Sequence, residues 1–277
     1  MVLQFALGLE HVENNYYHKF MDMFDEAAFA AAGFPPWVRG RFVQIVQHED
    51  THVRFITAAL GADAPLPCTY SFPVNTVTDF VTLSGVFEDG ASAAYLGYAN
   101  ILQDDQLITN AGSIVVTETR HATWIDSAVT KGQPWSGSFQ TPLALGNVFS
   151  LLSEFTVACP DTNPKLPFVA HTPISFTPAA PVPGSDIALA FNTTAAKISA
   201  DDKLFLAVFS GLNTTFVPLE TSSVLSGTAK AKLPVGLQGT AYAVVTNVDS
   251  TPIPDTATLT APAILIFPFD SQANNEQ

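Results

Sequence analysis

Apolar residues recur every three or four positions from Val2 to about Ala31. Leu3, Ala6, Leu9, Tyr17, Phe20 and Phe24 fall on one stripe that also carries Glu10 and Glu13, and this period predicts a helix stopped by Gly33. Pro35-Pro36 opens a second helical pattern running to Gly61, because proline suits a first helical turn and glycine a C-terminal stop. Residues 62–75 are proline-rich and aperiodic, a stretch long enough to cross a helix bundle. The few residues near Gly33 and over 103–105 allow only antiparallel neighbours. Third and fourth helices are expected over about 76–102 and 105–130, and Thr141-Pro142 starts a fifth, to about Val157.

From Pro173 onward the helical period vanishes and Thr, Ser, Pro and Val rise. Ile187–Phe191, Lys203–Phe209, Ala241–Val245 and Ala263–Phe267 read as strands between Gly, Pro, Asn and Asp turns. The pattern predicts an α+β chain of two domains, a four-helix bundle plus an extra helix over 1–170 and a β-sandwich over 171–277. Immunoglobulin-like topology is expected for the sandwich, although it lacks an internal cysteine pair for that fold's usual disulfide.

Some polar residues within the helical stripes are not those of a solvated face. Glu49-x-x-His52 sets a carboxylate and an imidazole one turn apart on one face, where they can converge on a metal ion. Glu118-x-x-His121 repeats the arrangement, and Glu10 and Glu88 stand singly among small and apolar neighbours. The order Glu, Glu-x-x-His, Glu, Glu-x-x-His is the ligand set of ferritin-like di-iron and di-manganese bundles. Two iron or two manganese ions are therefore expected on Glu10, Glu49, His52, Glu88, Glu118 and His121, with Glu49 and Glu118 as bridges.

Depth along the bundle tests this set. Glu88 and Glu118 lie about equally far from the turn between their helices, roughly 20 Å at 1.5 Å per residue. Glu10 is farther from Gly33 than Glu49 is from Pro36. Either the first helix breaks or bends near Asp25–Ala32, or Glu13 reaches the metals in place of Glu10. Glu10 is preferred because Tyr17 follows it by seven residues as Tyr95 follows Glu88, giving the two half-bundles a weak internal repeat. Tyr17 and Tyr95 are candidates to hydrogen-bond a bridging ligand or relay an electron. Asp50, Asp89 and Asp126 are candidates to orient the ligand imidazoles, while His11, His18, His48 and His171 read as structural or solvent-facing.

The block Leu9-Glu10-His11-Val12-Glu13-Asn14-Asn15-Tyr16-Tyr17, the two Glu-x-x-His helices, Phe87-Glu88-Asp89-Gly90-Ala91 and Cys159-Pro160 resemble the fungal ferritin-like stress-response and desiccation-related proteins. Bacterioferritin and rubrerythrin are similar at greater distance. The resemblance covers about residues 1–170 and implies a four-helix bundle holding two iron or manganese ions; it implies little about the substrate.

Composition narrows the classes. A formal charge of −14 from 11 basic and 25 acidic residues leaves no basic patch, which excludes a phosphate-backbone partner. No run of eighteen apolar residues and no basic leader segment precede the helices, so neither a membrane span nor a signal peptide is expected in this chain, which reads as mature or trimmed. Cys68 and Cys159 both lie in loops that close helices, where one disulfide would staple the crossover. Asn192-Thr193-Thr194 and Asn213-Thr214-Thr215 are glycosylation acceptors in turn-like positions. Together these features point to secretion. Three functions remain in view: an oxidoreductase using O2 or H2O2, a manganese catalase-like peroxide disproportionation, and a non-catalytic metal-binding or structural stress-response protein. A homo-oligomer is compatible with each.

Overall fold

The structure, a computed structural model, describes residues 1–227 and 229–275. The first compact unit holds Met1–Pro134 and Leu152–Pro167; the second holds Trp135–Leu151 and Phe168–Gln277. Against a single division near residue 170, the chain enters the second unit at Trp135, leaves it after Leu151 and returns at Phe168.

In the first unit, α1 spans Val2–Met23 and α2 spans Glu26–Ala31. Between them Phe24 is extended, and the Asp25 side chain caps α2 by accepting from Ala28 N at 2.8 Å. The break that the depth mismatch required is therefore present, and it lies near the start of the expected interval. Helix α3 covers Pro36–Leu60, with Pro36 in its first turn and Gly61 at positive φ ending it. A two-residue strand β1 (Thr69–Tyr70) lies in the crossover. Helix α4 (Val77–Tyr98) starts with a capping box of Thr76 and Asp79, and α5 (Asp105–Thr123) is capped by Asp104. One π-helical turn, Trp124–Val129, continues α5 directly after His121. Here Thr130 N reaches back five residues to Ile125 O at 2.9 Å. A Cβ at position 85 would lie 2.9 Å from Asp126 Oδ1 of that turn, so a larger residue there would require the Asp126 side chain to shift.

The fifth helix is shorter than expected. Helix α6 covers only Leu145–Ser153. Thr141 is engaged elsewhere, its hydroxyl accepting from Gly211 N at 2.8 Å. Residues past 155 extend as β2 (Thr156–Ala158), which pairs antiparallel with β1. Beside this pair Cys68 and Cys159 form the expected disulfide. Asn163 adds two bonds to the backbone of Leu66, at 2.9 and 2.7 Å. The crossover is thus fixed by covalent, ladder and side-chain links.

The core of the first unit below the acidic residues is aromatic. Phe80 of α4 packs against Phe42 of α3 at 4.8 Å and Tyr16 of α1 at 5.5 Å between ring centroids. Phe20, Phe24, Phe29 and Phe72 close around them, all buried. Burying rings of this size is the main stabilising contribution to the bundle.

The second unit contains two antiparallel sheets. One has the order β3-β4-β7 (Ser175–Thr177, Asp186–Ala190, Ala229–Lys232); the other has the order β6-β5-β8-β9 (Asn213–Leu219, Leu204–Ser210, Gly239–Thr246, Ala263–Phe267). A short helix α7, Thr221–Leu225, precedes β7. Leu189 and Ala231 from one sheet and Leu206, Val208, Ala243 and Leu265 from the other share a single apolar core. Asn213 opens β6 opposite Ser210 across a two-residue turn, which Gly211 permits by its positive φ. Among the described residues no helix is long and apolar enough to cross a membrane.

Candidate metal centre

Each of four helices brings acids inward. Helix α1 carries Glu10 and Glu13, α3 carries Glu49 and His52, α4 carries Glu88, and α5 carries Glu118 and His121. All five carboxylates are fully buried. Ligand-type atoms of Glu10, Glu49, His52 and Glu118 lie within 4.8 Å of one another, as do those of Glu49, Glu88, Glu118 and His121.

The two groups share Glu49 and Glu118, each divided between them oxygen by oxygen. His52 Nδ1 lies 3.1 Å from Glu49 Oε2, 3.0 Å from Glu118 Oε1 and 3.4 Å from Glu10 Oε2. His121 Nδ1 lies 3.7 Å from Glu49 Oε1, 3.8 Å from Glu118 Oε2 and 3.0 Å from Glu88 Oε2. One ring N–H cannot satisfy three carboxylates. Among the described residues, Glu10 Oε2, Glu49 Oε1 and both oxygens of Glu118 have no hydrogen-bond partner, although imidazoles stand beside them. Buried lone pairs converging on two points without donors are costly unless a cation takes the donor's place. Four carboxylates and two imidazoles suit two divalent ions in charge and in ligand type.

The remaining oxygens of the single carboxylates are held by tyrosines, and the hold is crossed. Tyr17 of α1 donates to Glu88 Oε1 on α4 at 2.5 Å, and Tyr95 of α4 donates to Glu10 Oε1 on α1. In each case Oε2 is left facing a histidine. The tyrosines thus bond the single carboxylates of the opposite helix.

Proton affinities follow from this crowding. Burial, then the nearby Glu118 charge, raises Glu49 well above the usual carboxylate range and pushes Glu88 up to about 8. Glu10 is raised chiefly by burial. Burial works against the Glu118 carboxylate too, but the imidazoles on either side hold it below its ordinary value. Burial opposes protonation of His121, yet the Glu88 charge and its other acidic neighbours push it up to about 10.

Residues 1–131 match the sequence model of the ferritin-like domain family. The N-terminal part of this chain is thus similar to a ferritin-like domain. Over 165 residues the chain is 26% identical to protein rds1 of Schizosaccharomyces pombe, a fungal protein, and this stretch covers 59% of the chain and 40% of that relative. The chain therefore spans less than half of the relative's length. Both matches support the motif-based likeness to a fungal ferritin-like stress family.

Within the ferritin-like domain the structure changes several assignments. Glu10 and Glu13 both point inward, so the choice between them is not exclusive. Glu10 joins the His52 group, whereas both oxygens of Glu13 are without hydrogen-bond partners among the described residues. Burial, then the charges of Glu118, Glu88, Glu49 and Glu10, raises Glu13 well above its ordinary value. Of the two readings open for His48, structural or solvent-facing, its contact with His121 fits the first. Its Nδ1 lies 2.9 Å from His121 Nε2 with the ring planes 10° apart, so it fixes the ring whose other nitrogen faces Glu88. Asp50 is engaged away from His52 and His121 among the described residues: it accepts from Asn14 at 2.8 Å and pairs with His18 at 2.8 Å. Asp126 lies against Gly85, where burial and then the Asp89 charge push it up to about 6. The position of His48 four residues before His52, on the same face, was the sequence signal for its role; its partner on α5 was not visible there.

Proposed function

We propose that the ferritin-like domain binds two iron or manganese ions through Glu10, Glu49, His52, Glu88, Glu118 and His121, and that the protein is a secreted oxidoreductase acting on dioxygen or hydrogen peroxide. The observation that carries this reading is the division of Glu49 and of Glu118 between two histidines, one oxygen to each side, which is the disposition of bridging carboxylates.

A bound pair of such ions supplies redox chemistry toward dioxygen or peroxide at its open positions. The chain's own residues prepare the place. Glu49 and Glu118 hold the two positions at a fixed separation. Tyr17 and Tyr95 occupy one oxygen of Glu88 and of Glu10 and leave the other free to ligate. His48 holds the His121 ring so that Nδ1 faces inward. The aromatic layer around Phe80 keeps water out of the far side, and Glu13, whose hold on a proton is strengthened by burial and by the neighbouring acids, is a further buried acid of α1.

Secretion rests on the disulfide and on the exposed Asn192 and Asn213. The second unit we read as an immunoglobulin-like sandwich, a reading supported by its three-plus-four sheet order and single shared core.

The test is metal content after anaerobic loading with iron(II) or manganese(II). About two ions per chain are expected, falling below about one in Glu49→Ala and Glu118→Ala, since loss of a shared ligand damages both positions. Equal metal content in wild type and both variants would overturn the site. Dioxygen consumption by the iron form would select an oxidase or oxygenase, and peroxide disproportionation by the manganese form alone would select the catalase-like reaction. Tight binding without reaction toward either oxidant would leave a metal-binding or structural role.

A further inference from the structure

One helical turn beyond the His52 side of the centre, the four helices enclose a cavity of about 40 Å3. Its buried floor is Ala6, Ile56, Tyr95, Tyr98 and Ile114, and its mouth lies at the exposed Phe55 and Ala59. Ala6 precedes Glu10 by four residues, Ile56 follows His52 by four, and Ile114 precedes Glu118 by four, so three floor residues stand one turn, about 6 Å, from three proposed ligands. Tyr95 is the partition, since its ring lines the cavity and its hydroxyl is spent on Glu10.

We propose that this cavity is the access route and holding site for dioxygen. The inference rests on the reading of the centre given above and names its oxidant. Ordered water needs two to four polar partners, and the cavity has few free ones. Tyr95 is engaged with Glu10, Asn110 is engaged with Gln106, and only the Tyr98 hydroxyl is buried there without a hydrogen-bond partner among the described residues. A strongly hydrated molecule such as hydrogen peroxide therefore exchanges several hydrogen bonds for the few that the Tyr98 hydroxyl and the Asn110 amide nitrogen can offer, whereas apolar dioxygen loses none. The volume makes a second selection. An engineered cavity of about 150 Å3 takes benzene, so a space of about 40 Å3 admits a diatomic molecule and turns away a ring.

The probe is xenon, an apolar atom that reports the cavity without any metal or turnover. Xenon should bind the metal-free wild type at this place, with shifted resonances for the methyl groups of Ile56 and Ile114, and should be lost in Ala111→Phe, which fills the lining, and in Ala59→Phe, which obstructs the mouth. Both variants should take up as much iron(II) as wild type. Their oxidation by limiting dioxygen should slow several-fold while oxidation by hydrogen peroxide keeps its rate. Absence of xenon from the wild-type cavity, equal slowing with both oxidants, or an unchanged dioxygen rate in the variants would overturn the proposal and leave the metal centre standing. Failure of wild type itself to take up metal would overturn the reading of the centre instead, whatever xenon does.

Discussion

Glu13 offers the sharpest prediction, because its carboxyl is fully buried, neither oxygen has a hydrogen-bond partner among the described residues, and it sits among four other buried acids. Replacing it by leucine, close in volume, removes a polar group that the fold buries uncompensated. From mutational data that relief is worth about 1–3 kcal/mol in the metal-free protein with the acid neutral. A second contribution depends on pH. The folded-state pKa is raised above 4.5 by burial and by its acidic neighbours, so above that value the folded chain keeps a proton that the unfolded chain has released. Stability of the wild type therefore falls as pH rises through this window, by at most about 1.4 kcal/mol per pH unit for one such group. Glu13→Leu should flatten the slope by up to that amount and should gain more at pH 7.5 than at pH 5. The assay is urea unfolding of chelator-treated protein, followed by the helical far-ultraviolet signal across that pH range. With roughly 2–4 °C per kcal/mol for a domain of this size, thermal midpoints should move by several degrees. Equal stability of the variant and an unchanged pH slope would refute the argument.

Several further outcomes are expected. His48→Ala should weaken metal binding about 10–100-fold while leaving the helical signal intact, as titration calorimetry can measure. Tyr95→Phe should loosen Glu10 and Tyr17→Phe should loosen Glu88, each lowering metal affinity at its own position and, by leaving a buried carboxylate oxygen without its donor, costing about 1–3 kcal/mol of metal-free stability in unfolding experiments. Metal uptake should strengthen as pH rises, with protons released on binding, because Glu88 and His121 hold theirs up to about 8 and about 10; potentiometric titration would count them. Cys68→Ser with Cys159→Ser opens a loop of 91 residues, and should destabilise the first unit by about 4 kcal/mol on the chain-entropy account.

Most of the helical unit was legible because its helices are long and strongly periodic, with punctuation that physical chemistry makes specific. Pro36, Gly61, Thr76 with Asp79 and Asp104 mark ends that the structure places within a residue or two. Helix α6 was overextended because Thr141-Pro142 imitates a start signal, while the Thr141 hydroxyl is committed to Gly211. Strand β2 was missed because three residues pairing with two carry no period. In the second unit the apolar strands were visible, but Ser175–Thr177, Asn213–Leu219 and Ala229–Lys232 are short or rich in Thr and Lys and lie wholly or partly at sheet edges, where the alternation weakens. At the centre, spacing along one helix placed each pair, whereas the contacts between helices were beyond its reach: His48 against His121, and the crossed tyrosines.

Those crossed tyrosines bear on what the smallest working piece of this bundle is. Glu10 and Glu88 are 78 residues apart, and so are Tyr17 and Tyr95. A fragment ending in the crossover would own Glu49, His52 and Glu10, yet its Glu10 would have lost the phenol that aims it. Two copies of that fragment facing each other about a two-fold axis would restore the missing partner to both, since each could lend its tyrosine to the other. The fold therefore has the logic of an isologous pair joined in one chain, and damage to one half is felt first at the ligand of the other.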